Sequence, residues 1–294
     1  MLFSMKEEIL QEMDKYRVSE FEKLADEMMV TVSDGSQLRV LRYTPPKDRF
    51  NGYTLVIVVG WGTVIPSWDE LLMDATKDFE VIYYESREKG SSILPKKYAV
   101  GMERMVLDIK EIMEYLKIDE KKLILLGSCI GATKITFGMY KKMFNPFMPV
   151  LLAPPARFEV PPILRQIIPI APTFLWGAVQ PILRWWIIKT KTEDTKQAAK
   201  YLRSLEEADV KKWKRLGLRL AYKRYWWLFP KVKNHALLIA AETDKMHDAK
   251  VTRKVESLME NTVYINMGTN KNTHSPIMND KIREFIPQFI GKNH

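Results

Sequence analysis

Near-continuous apolar runs, separated by stretches of helical period, constrain this sequence more than any other feature. TLVIVV, KLILLG and ALLIAA do not alternate apolar with polar residues, which is the pattern of strands buried on both faces. Such strands need helices on both sides, so they imply a layered α/β architecture with a mostly parallel sheet. Eight strands are predicted, at Met28 to Val32, Gln37 to Tyr43, Thr54 to Val59, Glu80 to Tyr84, Lys122 to Gly127, Met148 to Ala153, His235 to Ala241 and Thr262 to Met267. The first two flank Ser33-Asp34-Gly35-Ser36 and read as a β-hairpin. Helices are predicted over Trp68 to Lys77, Tyr98 to Leu116, Ile130 to Met143, Asp248 to Glu260 and Pro276 to Ile290. In the second of these, Met102, Met105, Val106, Ile109, Ile112, Met113 and Leu116 form one apolar stripe. A charged helix before Asp26 is expected to pack across one edge of the sheet.

The formal charge of +10 is not spread evenly. Between Arg157 and Lys233 there are 17 Lys and Arg against 6 Asp and Glu, together with six of the eight tryptophans. The remaining residues hold 29 basic and 30 acidic side chains, so a near-neutral body carries one basic, aromatic insertion. The stretch from Gln166 to Leu183 is uncharged and touches the lower length limit for a membrane span, but three prolines and a glycine interrupt it. An apolar lid over a pocket is the preferred reading. The single cysteine, Cys129, excludes an internal disulfide and any multi-cysteine zinc site, and four histidines leave little for a metal cluster. No metal and no cofactor are expected, since GSCIGAT lacks the Gly-Lys-Ser/Thr ending of a phosphate loop. The first residues carry acids too densely for a signal or transit peptide, so a cytoplasmic location is expected.

LILLGSCIGAT is the sharpest local feature. A buried strand ends at Gly127, and a helix-compatible stretch begins after Cys129. Glycines two before and two after Cys129 are what a strained strand-to-helix turn requires, because larger side chains there collide. Such a turn lifts its central side chain to a helix N-terminus, a setting that favours a thiolate. Taking Ser128 as the central residue instead would place bulky Leu126 and Ile130 at the flanking positions, so Cys129 is the expected nucleophile.

With this turn, the chain resembles the α/β-hydrolase fold superfamily over nearly all of its body. The resemblance implies an α/β-hydrolase core at 1–156 and 233–294, with a helical cap or lid inserted at 157–232. VIVVGWGTVIPSWDELLMDATKDFEVIYYESREKGSS is similar to the family's stretch from third to fourth strand, which implies backbone oxyanion donors at Trp61 and Ile130. Val59 stands where the family often has a histidine. ALLIAAETDKMHDAKV resembles the seventh strand and its acid loop, implying Asp244 as the orienting acid, with Asp248 and Glu242 as alternatives. VYINMGTNKNTHSPI resembles the eighth strand and the histidine loop, implying His274 as the base. His247, in the acid loop, is expected at the mouth of the site or in solvent.

The cysteine in the turn is similar to that of dienelactone hydrolases and polyhydroxyalkanoate synthases. It implies a thioester intermediate open to hydrolysis or acyl transfer. A catalytically silent binding protein of the same fold is the reading from another class. The cap is expected to hold a hydrophobic acyl group against Trp176, Ile182 and Trp185. The phosphates of an acyl-coenzyme-A-like carrier would then lie near Lys211, Lys212, Lys214 and Arg215. Its tryptophans and basic residues also suit peripheral contact with an anionic membrane. No nucleic-acid recognition motif is present, and none is expected as a partner.

Overall fold

In the computed structural model the described residues are 2–157, 166, 169–221 and 223–294. Most of the proline-rich lead into the insertion, 158–165, lies outside them. The eight strands are β1 (Asp26–Thr31), β2 (Gln37–Tyr43), β3 (Thr54–Val58), β4 (Glu80–Tyr84), β5 (Leu123–Ser128), β6 (Met148–Leu152), β7 (Ala236–Ala240) and β8 (Thr262–Asn266). They form one sheet in the order β1-β2-β4-β3-β5-β6-β7-β8. β1 and β2 run antiparallel, and β3 through β8 are parallel.

Eleven helices are described, among them α1 (Leu2–Lys15), α2 (Glu20–Leu24), α3 (Asp69–Ala75), α4 (Met102–Tyr115) and α5 (Ile130–Tyr140). The insertion supplies α6 (Trp176–Thr190), α7 (Thr195–Glu206) and α8 (Val210–Leu220), followed by α9 (Ala249–Leu258), the single turn α10 (Asn270–Thr273) and α11 (Pro276–Phe289). Strand side chains divide by parity. Val56 and Val58 of β3 join one core with Met105, Ile109 and Ile112 of α4, Ile135 of α5 and Val255 of α9. Leu55 and Ile57 join the other, with Leu71 and Leu72 of α3 and Met278 and Ile282 of α11. This two-sided burial is why the strands read as unbroken apolar runs. α4 begins at Met102 and not at the expected Tyr98, because Gly101 at φ 143° breaks helical geometry just before it.

One placement differs from expectation. α1 does not lie across the sheet edge. Its Ile9 and Met13 are buried with Ile187, Ala198, Ala199, Leu202 and Leu205 of the insertion, so the N-terminal helix packs with the cap. An apolar stripe on a charged helix states that a partner exists but not which one. Among the described residues no helix is long and apolar enough to cross a membrane.

The loop after β4 is anchored by a buried charge. Arg87, fully buried, makes a two-pronged contact with Asp108 of α4 at 2.7 and 2.6 Å. It also donates to Asp34 at 3.0 Å and to the Ala99 carbonyl at 2.9 Å. Arg87 thereby ties the loop after β4 to α4 and to the β1–β2 turn. At Gly131, the second residue of α5, a Cβ would lie 1.9 Å from the Val58 carbonyl oxygen. At Gly177 of α6 a Cβ would meet nothing within 4 Å. Gly131→Ala should therefore cost about 3 kcal/mol or more, and Gly177→Ala should gain up to about 1 kcal/mol. Urea unfolding midpoints of the two variants, displaced to opposite sides of wild type, would check the pair.

Candidate active site

The site is assembled where β5 gives way to α5. Cys129 sits at the junction with φ 51° and ψ −126°, a left-handed conformation that costs a non-glycine residue energy and persists only when its surroundings enforce it. Gly127 and Gly131 are part of that enforcement, since a side chain on either would strike backbone. Cys129 is partly buried. Ile130 is the first residue of α5, so its N–H belongs to the helix's N-terminal donors. The Gly60-Trp61-Gly62 loop after β3 runs beside Cys129: a Cβ on Gly60 would lie 3.0 Å from the Cys129 Cβ and 3.8 Å from its Sγ.

The acid loop after β7 supplies the charged partners. Asp244 is buried, and its Oδ1 accepts from the Met246 backbone N–H at 2.8 Å. Its Oδ2 meets His247 Nδ1 at 3.0 Å and accepts from Asn270 Nδ2 at 2.9 Å. Burial alone would push this carboxyl upward, but His247, Asn270 and the Met246 N–H hold it below its usual range. Cys129 also lies close enough to His247 to act on its charge. Burial works against its imidazolium, yet Cys129 and Asp244 outweigh it and lift its pKa to about 10. Cys129 thus neighbours a hydrogen-bonded His247–Asp244 pair. Of the alternative acids, Asp248 accepts from the Lys250 N–H as the cap of α9, and Glu242 accepts from Asn266 on the surface.

His274 is not the histidine that meets Asp244. Its Nδ1 faces the Asn270 carbonyl at 3.1 Å and Thr273 Oγ1 at 2.9 Å, and its ring lies 4.1 Å from that of Trp68. Burial first, and then the charge of Lys200, pushes its pKa down to about 3, so it is neutral. The reason is local. The chain after β8 turns through α10, and this turn presents the Asn270 amide, not His274, to the carboxylate. His247, expected at the mouth or in solvent, takes the carboxylate's other contact.

The cap closes over this array and adds Tyr201 of α7, which sequence reading missed. Its hydroxyl accepts from Gln197 Nε2 at 3.1 Å. Burial first, and then the charges of Asp244 and Cys129, raise its pKa, so the phenol stays neutral. No sequence signal marks Tyr201 except its place four residues after Gln197 on one helix face. The α6–α7 turn is rooted in the same loops: Lys245 Nζ donates to the Thr192 carbonyl at 3.0 Å, and Thr243 Oγ1 donates to Glu193 at 3.0 Å.

The basic run on α8 serves as a clamp. Lys212 donates to the Lys89 and Ser92 carbonyls at 2.7 Å each, Lys214 to the Ala171 carbonyl at 2.7 Å, and Arg215 to the Tyr98 carbonyl at 2.6 Å. Lys211 is exposed. Between these lysines Trp213 packs on Trp61 with ring centroids 5.4 Å apart, and it covers Gly62, where φ is +70° and a Cβ would meet the indole at 2.7 Å. Lys89 Nζ in turn donates to the Thr63 carbonyl. The cap residues expected around one acyl-coenzyme-A-like ligand are therefore dispersed. Trp176 packs inside the cap, Trp185 points outward, and Arg215 stacks on Tyr98.

No family model matches the sequence, and no curated protein matches it. Solved structures do match in shape. An enol-lactonase from Burkholderia xenovorans LB400 superposes with TM-score 0.70 at 16% identity, over 90% of this chain and 99% of that one. A thermophilic esterase from Thermogutta terrifontis gives the same values, 0.70 and 16%, over 90% and 99%. A bromoperoxidase from Bacillus anthracis gives 0.69 at 13% identity, over 90% and 99%. One scaffold carrying three named chemistries means that activity has to be argued from the site. By its strand order and its likeness to these structures, the chain has the α/β-hydrolase fold.

Proposed function

We propose that this protein hydrolyses esters or thioesters of hydrophobic acyl groups through a covalent intermediate on Cys129. The observation that carries the reading is the Cys129–His247–Asp244 array at a strained strand-to-helix turn. This reading gives Cys129 the role of nucleophile, His247 that of base and Asp244 that of orienting acid. Asp244 fixes the imidazole through Nδ1, which leaves the other ring nitrogen for the sulfur. The apolar and aromatic composition of the cap supports a hydrophobic acyl group.

In the reaction the Cys129 sulfur, as thiolate, attacks the acyl carbon, forming a C–S bond. The N–H groups of Trp61 and Ile130 hold the resulting oxyanion. The tetrahedral species expels the alcohol or thiol, which leaves with the proton of the His247 imidazolium. Water then attacks the thioester while His247 takes its proton. Collapse breaks the C–S bond and releases the carboxylic acid, restoring thiolate and imidazolium. His274 takes no proton in this scheme and acts as a neutral wall against Trp68.

Initial rates on p-nitrophenyl esters of increasing chain length test the assignment. Cys129→Ala and His247→Ala should each lower kcat/KM by about 10²-fold or more, and His274→Gln by less than about tenfold. Loss of activity in His274→Gln with retention in His247→Ala would overturn the choice of base. Full activity in Cys129→Ala would overturn the nucleophile.

The two histidines also give opposite pH signatures in stability. His274 is held neutral with its pKa lowered from 6.5 to about 3, so its contribution is complete above about pH 6.5 and is lost as pH falls towards 3. His247 has its pKa raised from 6.5 to about 10, so its contribution is complete below about pH 6.5 and is lost as pH rises through 10. Urea unfolding across pH 4 to 10 should show His274→Gln flattening the acid limb and His247→Gln flattening the alkaline limb. Curves parallel to wild type in both variants would contradict these environments.

A further inference from the structure

α6 is largely apolar, yet it is packed on one side only. Its inner face, with Ile187 buried and Trp176 and Leu183 partly so, rests on Ala198 and Leu202 of α7. Its outer face continues from the preceding turn as Phe174, Ala178, Ile182 and Trp185, at helical spacings of four, four and three, and all of them are exposed. Phe174 is 81% exposed, Ile182 68% and Trp185 62%. Ile170, 80% exposed, extends the same apolar region, and Val179 and Trp186 flank it. A helix that is apolar all round is normally enclosed, and an exposed apolar surface of this extent marks a contact with something else.

Charge identifies the partner. From 166 to 192 there is no Asp or Glu, whereas Arg184, Lys189 and Lys191 are present. Arg184 is paired with Glu206, which leaves Lys189 and Lys191 at the C-terminal end of the face, and Lys191 lies over the Trp186 ring at 5.3 Å. Apolar side chains, tryptophans and lysines along one helix, without acids, are the composition of a helix that lies in the plane of an anionic lipid surface. A second copy of the chain on this face would bring like charges together. We propose that α6 seats the protein on anionic membrane, with Phe174, Ile182 and Trp185 entering the acyl boundary and Lys189 and Lys191 meeting the head groups. The following turn, Thr192 and Glu193, is bonded to the loops that carry Asp244 and Asn270, so the seated face adjoins the array.

Co-sedimentation of the full chain with phosphatidylcholine vesicles, with and without 30% phosphatidylglycerol, tests this directly. Binding is expected to the anionic vesicles at low salt and to weaken in high salt. An Ile182→Gln/Trp185→Gln double variant, with an unchanged thermal midpoint, should bind about tenfold more weakly or worse. Lys189→Gln/Lys191→Gln should lose the preference for phosphatidylglycerol. Wild-type protein left in the supernatant at low salt, or a double variant that binds as wild type does, would overturn the proposal. So would a concentration-dependent dimer that Ile182→Gln/Trp185→Gln dissolves while vesicle binding is absent. Vesicle binding is read without turnover, so it is decided separately from the role of Cys129.

Discussion

At Gly131 the first turn of α5 passes so close to the Val58 carbonyl oxygen that a Cβ there would stand 1.9 Å from it. That approach lets β3 and the start of α5 share one narrow space, and it holds Cys129 in a positive-φ conformation between them. The sulfur is thereby presented above the C-terminal ends of the parallel strands, the region to which the loops after β3, β7 and β8 also lead. Ligand sites in open α/β sheets gather there for the same reason. The rest of the site depends on this contact because each loop is measured against a fixed sulfur.

Around that point the protein treats its two inner histidines in opposite ways. His247 gains Asp244 and Cys129 and holds its proton well above the ordinary histidine range. His274 gains Trp68, a carbonyl and a nearby lysine, and is kept neutral. Two titratable groups whose environments drive them apart are the usual mark of an assigned acid–base role. The cap adds a mechanical layer: α8 presses Trp213 on the Trp61–Gly62 turn, and three of its basic side chains tie it to carbonyls of the core and of the cap's own lead-in. Docking of the cap and placement of the Trp61 loop are therefore a single packing event.

The central strands β3, β6 and β7 were legible in the sequence because burial on both faces leaves them almost entirely apolar, and all eight predicted runs contain a strand. The place of Cys129 at the strand-to-helix turn was legible because the glycine spacing around it has a steric cause, and the place of Asp244 in the loop after β7 because it follows a strand end. Which histidine meets Asp244 was not. Whether His247 or His274 meets the carboxylate depends on how two loops turn, and the Asn270 side chain occupies the place where an imidazole from the second loop would have had to sit. Tyr201 and the partner of α1 are matters of which helix face turns inward, which periodicity alone leaves open. The basic run at 211–215 read as phosphate-seeking because charge shows in sequence, whereas the carbonyls those side chains reach, at Lys89, Ser92, Ala171 and Tyr98, do not.

The pairing of His247 with Cys129 is the central claim, and the protonation state of that imidazole reports on it most directly. NMR of protein carrying isotope-labelled histidine, titrated from pH 5 to 11, should show His247 protonated through neutrality with a midpoint near 10. In Cys129→Ala that midpoint should fall markedly, while the His274 signal stays neutral in both proteins. A His247 midpoint in the ordinary histidine range, unmoved by Cys129→Ala, would contradict the account.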